Sequence, residues 1–95
     1  MTRLEGRHVL ITGAGGGIGL AVLAGYLDEG ARCTASDLAS TPNAGMQALL
    51  DKHAGRVHYV AADVSKTASI AALVAAARAR FGTIDTLFNT AAIFD

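Results

Sequence analysis

Ninety-five residues make one small domain, and a hydrophobic share of 52% excludes a disordered chain or a charged tail. Eight Lys and Arg balance eight Asp and Glu, so neither a nucleic acid nor a membrane surface is indicated as a partner. The single cysteine, Cys33, cannot close an internal disulfide and sits in an apolar run as a small hydrophobe. His8, His53 and His58 are scattered and read as solvated or locally satisfied, and no Cys/His spacing suits a metal.

In chain order, Arg7–Thr12 (RHVLIT) is short, apolar and β-branched and stops at glycine, which predicts a strand. From Ile18 the residues Ala21, Val22, Leu23, Tyr26 and Leu27 recur at helical spacing, and Gly30 ends the segment. Arg32–Asp37 (RCTASD) reads as a second strand, weaker by composition. Thr41-Pro42 supplies an N-cap and a first-turn proline for a helix to about Lys52, closed by Gly55. Val57–Ala62 is a third strand. Ile70, Leu73, Val74, Ala77 and Phe81 then trace a helical stripe stopped by Gly82, and Thr86–Asn89 begins a fourth strand.

The stretch from Val9 to Leu27 carries no charge and follows Arg3 and Arg7, which invites a signal-peptide reading. Six glycines within it oppose a compact apolar helix, and Glu5 suits a leader poorly, so a cytoplasmic start is expected. The order β-α-β-α-β-α-β with short connections predicts an α/β fold. It is a Rossmann-type doubly wound parallel sheet, here partial, with strands in the order 3-2-1-4.

The glycines of LITGAGGGIGLAV lie in the turn from the first strand into the first helix. At that place bare backbone lets a pyrophosphate approach amide N–H groups at the positive end of a helix dipole. A glycine-rich turn with no ligand is the alternative. The spacing is Gly13-x-x-x-Gly17-x-Gly19, since Ile18 and Leu20 occupy the positions that G-x-G-x-x-G would need. Asp37 stands at the end of the second strand, 18 residues after Gly19. There a carboxylate accepts from the adenosine ribose of NAD and repels the 2′-phosphate of NADP, so NAD is expected over NADP. The bland alternative is an exposed aspartate capping a loop.

TGAGGGIG (Thr12–Gly19), the pair Asp63-Val64 and GTIDTLFNTAA (Gly82–Ala92) resemble the motifs of the short-chain dehydrogenases/reductases, in order and over nearly the whole chain. The resemblance implies that Gly13, Gly17, Ile18 and Gly19 wrap the pyrophosphate, that Asp37 binds the ribose, and that Asp63 and Val64 meet the adenine. It places Asn89 and Ala91 under the central part of the cofactor. Thr90 and Ala92 depart from that family's asparagine and glycine, and Asn89 is equally readable as a strand-end residue bonding a neighbouring loop. The closing NTAAIFD is similar to members that act on sugar alcohols, so an alcohol or ketone, with a polyol favoured, is the implied small-molecule substrate.

The family's acid/base chemistry rests on a Ser and a Tyr-x-x-x-Lys pair. Here Tyr26 is followed four residues later by Gly30 and Tyr59 by Asp63, so no catalytic residue is assigned. Residues 1–95 are therefore expected to be the N-terminal half of a dinucleotide-binding domain, truncated after strand four. On that expectation the chain is inactive alone and self-associates through an exposed sheet edge, or is a homo-oligomer. A non-catalytic nucleotide-binding or structural fragment is the alternative function.

Overall fold

The computed structural model describes residues 4–89. The elements are β1 (His8–Thr12), α1 (Gly17–Asp28), β2 (Arg32–Asp37), α2 (Ala44–Lys52), β3 (Val57–Ala61), α3 (Thr67–Phe81) and β4 (Thr86–Asn89). The strands pair in parallel in the order β3-β2-β1-β4, as the alternation of elements predicts. Strand order reverses between β1 and β4, so a crevice opens at the carboxyl ends of the strands.

Side-chain alternation divides the core between the two faces of the sheet. Val9, Ile11, Cys33, Ala35 and Val57 pack with Leu23 and Leu27 of α1 and Met46 of α2. Leu10 and Ala62 pack with Leu73 of α3 on the opposite face. Cys33 is the buried small hydrophobe expected of it, with burial pushing its thiol up to about 12. α3 stops at Gly82, whose φ of 81° is a conformation that side-chain-bearing residues rarely adopt.

The start of the second helix is corrected by the structure. α2 is capped by Asn43, not Thr41: the Asn43 Oδ1 accepts from the Met46 N–H at 2.8 Å, and Pro42 lies outside the helix. Asparagine is as good a cap as any residue, and here it stands where the helix starts. β2 forms over Arg32–Asp37 as read from the sequence, and its place between β3 and β1 buries Thr34 and Ser36 fully.

Two of the three histidines, His8 and His58, come together in space. His8 is buried, and its Nε2 lies 2.7 Å from Thr34 Oγ1, which lies 2.7 Å from the Nε2 of His58. Both rings meet Phe81 edge-on, at centroid distances of 5.3 and 5.2 Å. The partners dictate the protons. The Gly82 carbonyl, 3.3 Å from His8 Nδ1, can only accept, so His8 donates there and its Nε2 accepts from Thr34. Thr34 in turn accepts from His58 Nε2–H. Burial, then Arg80 and His8, lower the His58 pKa to about 4, so the ring is neutral at pH 7.

Candidate functional site

β1 delivers the chain into a loop whose first residue, Gly13, has a φ of 68°, the left-handed region. Ala14 N–H extends the sheet by donating to the Ser36 carbonyl at 2.9 Å. The loop then closes on α1. A Cβ on Gly19 would run into the Gly13 carbonyl oxygen and stand 2.8 Å from Ala14 Cα, so this glycine is required for close packing of helix on loop. Gly17 differs, because a Cβ there would meet nothing within 4 Å. Its bare face looks onto open space at the start of α1. No side chain caps that helix, and no acidic residue lies in its first turn. First-turn amides of a helix lack intrahelical partners, so this end is suited to an anion. Ile18 projects from the same turn, 75% exposed.

Asp37 ends β2 beside this loop. Its Oδ2 accepts from Gly15 N–H and its Oδ1 from Leu38 N–H, each at 2.7 Å. A carboxylate has about four lone-pair positions, so two such bonds leave capacity for a diol. Gly13, Ser36, Asp37, Leu38, Ala62, Asp63, Val64 and Ser65 line a cleft of about 360 Å³ that no basic side chain among the described residues enters. Exposed Leu38 and half-buried Val64 give it apolar walls.

Asp63 lines the cleft, but its Oδ1 is held by Ser65, at 2.9 Å from the amide and 2.6 Å from the hydroxyl. Those bonds hold the carboxyl below the usual carboxylate range. Asn89 lies across the crevice opposite Thr12, whose hydroxyl donates to Asn89 Oδ1 at 2.7 Å. The fold thus brings Gly13, Gly17, Ile18, Gly19, Asp37, Asp63, Val64 and Asn89 to one end of the sheet; Ala91, with Thr90 and Ala92, lies outside the described residues.

Two residues absent from the sequence expectations shape the site. Gly15 carries the amide that Asp37 accepts from, and Asn43 donates from Nδ2 to the Gly15 carbonyl at 2.9 Å. The signal for Asn43 was its cap preference, masked by the neighbouring Thr41-Pro42. A larger cleft of about 480 Å³, lined by Glu5, Arg32 and Arg56 among others, lies at the opposite end of the sheet. Arg56 is committed there to the carbonyls of Leu27 and Ala31, at 3.1 and 2.8 Å, closing the end of α1. That cleft has no helix N-terminus or glycine loop. Among the described residues no helix is long and apolar enough to cross a membrane, and no His, Cys, Asp and Glu cluster could hold a metal ion.

The family model described as short chain dehydrogenase matches residues 7–95. The chain is 40% identical over 91 residues to the D-threitol dehydrogenase of Mycolicibacterium smegmatis, covering 96% of this chain and 35% of that protein. It is similar to the crystal structure of a 3-ketoacyl-(acyl-carrier-protein) reductase from Brucella melitensis complexed with NADH. That match has a TM-score of 0.77 and 36% identity, over 87% of this chain and 33% of the other. It also resembles the structure of levodione reductase, with a TM-score of 0.80 and 37% identity, over 90% of this chain and 34% of the other. The chain spans about a third of the length of the curated relatives it matches.

Proposed function

The chain belongs to the short-chain dehydrogenase family, and we propose that it forms the NAD(H)-binding portion of an oxidoreductase acting on an alcohol or ketone. A polyol is the favoured substrate class, a choice supported by the relative named as a D-threitol dehydrogenase. The observation that carries the cofactor reading is Asp37. Its carboxylate stands beside the glycine loop and the start of α1, in a cleft that among the described residues has no basic side chain.

The residues present fit such a cofactor. Gly17 leaves empty the space that a diphosphate needs, and Gly13 and Gly19 let the loop turn tightly enough to offer its amides. Asp37 would accept from the ribose hydroxyls, Leu38 and Val64 would flank the adenine with backbone help from Asp63, and Asn89 would lie beneath the central part of the cofactor. When bound, NAD takes up or returns a hydride. The contribution of these residues is to bind and orient it. Neither Tyr26 nor Tyr59 has a lysine four residues on, so no residue of this chain is assigned the proton transfer. The proposed preference for NAD rests on charge: Asp37 would face the 2′-phosphate of NADP at close range, with no cation among the described cleft residues to offset it. A cytoplasmic setting is part of the same proposal.

Titration of the chain with NADH and NADPH tests this reading. NADH binds more tightly, and Asp37→Ala weakens it by about 1.5–3 kcal/mol through loss of charge-assisted hydrogen bonds. NADPH binding as tight as NADH contradicts the assignment. Size-exclusion chromatography of the same sample reads the self-association proposed for the β4 edge, where Leu87 is 63% exposed; a monodisperse monomer rejects it.

A further inference from the structure

The two peptide planes that meet at Gly15 are held from opposite sides. The plane carrying the Gly15 N–H is fixed by Asp37 Oδ2 at 2.7 Å. The next plane, which carries the Gly15 carbonyl and the Gly16 N–H, is fixed by Asn43 Nδ2 at 2.9 Å. Asn43 does this while its Oδ1 caps α2 through the Met46 N–H at 2.8 Å. Its side chain therefore has both ends engaged, one on a helix and one on the loop.

Two other features hold the start of α2 against the loop. Gly45 lacks the Cβ that would stand 2.9 Å from Leu20 Cδ1, so α2 approaches α1 closely at its first turn. The Tyr59 hydroxyl donates to the Ala39 carbonyl and pins the connection between β2 and α2. A side chain at position 15 would have to displace the Asp37 carboxylate from its present place. A Cβ there would stand 2.6 Å from Asp37 Oδ2 and 3.4 Å from Asn43 Nδ2.

We propose that Asn43 is a positioning residue for the glycine loop: by holding the Gly15 carbonyl it sets the direction of the Gly16 amide and keeps the loop in register with the Asp37 carboxylate. The proposal rests on the cofactor reading above and extends it to a residue to which that reading gives no role. Its physical basis is entropic. Gly15, Gly16 and Gly17 are consecutive glycines, the residues with most backbone freedom to lose. A loop ordered before the ligand arrives spares that loss at binding. The tie also links α2 to the site, so a shift of α2 moves the loop.

Asn43→Ser separates the tie from the cap. Serine caps a helix about as well as asparagine but is neutral, short and without an amide to reach the Gly15 carbonyl. Expected are near wild-type thermal stability, faster amide exchange confined to residues 15–17, and NADH binding weakened roughly three- to ten-fold. Asn43→Asp keeps an equally good cap, also lacks the donor, and must release the loop in the same way. Loop exchange and NADH affinity unchanged in both variants overturn the proposal. Faster loop exchange in the variants of a chain that binds no NADH supports the tie and overturns the cofactor reading, so the two failures are distinct.

Discussion

Asp37 and the two histidines show how far a single residue can be read. The place of Asp37 beside the glycine loop is legible because strand end and spacing agree, and the structure sets its carboxylate 2.7 Å from a loop amide. The pairing of His8 with His58 was not. It depends on strand register, which aligns Thr34 with both Leu10 and His58; neither histidine's local sequence carries that information. Its consequence is a pH dependence. The folded His58 pKa is lowered to about 4, chiefly by burial and then by Arg80 and His8, against an ordinary value of 6.5. The unfolded chain therefore binds the proton more readily. Stability from this group is fully present above pH 6.5 and is lost as pH falls toward 4. The groups around the ring are Thr34, His8, Phe81 and Arg80, and no carboxylate contributes to the shift. Urea midpoints measured at pH 7.5 and 4.5 should drop less in His58→Gln than in the wild-type chain. Equal drops contradict the network.

At the scale of elements, the glycine loop and α1 separate residues required by the fold from those proposed for the ligand. Gly19→Ala forces a methyl into the Gly13 carbonyl, an overpacking that costs about 1–3 kcal/mol. Gly17→Ala meets nothing and improves helix propensity, so stability holds or rises by up to about 1 kcal/mol. The same methyl occupies the space proposed for the diphosphate, so Gly17→Ala should lose NADH affinity without losing stability. Thermal melts and NADH titrations of the two variants check this, and a Gly17→Ala variant with full affinity places the diphosphate elsewhere. All seven elements were legible from periodicity and glycine punctuation. The start of α2 was misread because Thr41-Pro42 and Asn43 are both valid helix-start signals only two residues apart. Packing of Met46 into the core selects the second.

For the whole molecule, the order β3-β2-β1-β4 follows from alternation and crossover handedness, which leave little other choice. Sequence reading already placed the ligand at the glycine turn; what it could not show is the second, larger cleft at the opposite end of the sheet, by Arg32 and Arg56. Chemistry favours the other end, where the strands deliver a helix N-terminus, a glycine loop and a carboxylate. The account stands on that choice. It is tested most directly by nuclear magnetic resonance of the ¹⁵N-labelled chain titrated with NADH, which locates the ligand residue by residue. The predicted shifts fall on the amides from Gly13 to Gly19, on Leu38, and on Val64 and Ser65, with Gly6, Gly30 and Arg56 unmoved. Shifts centred on Gly6, Arg32 and Arg56, or none at saturating NADH, would contradict it.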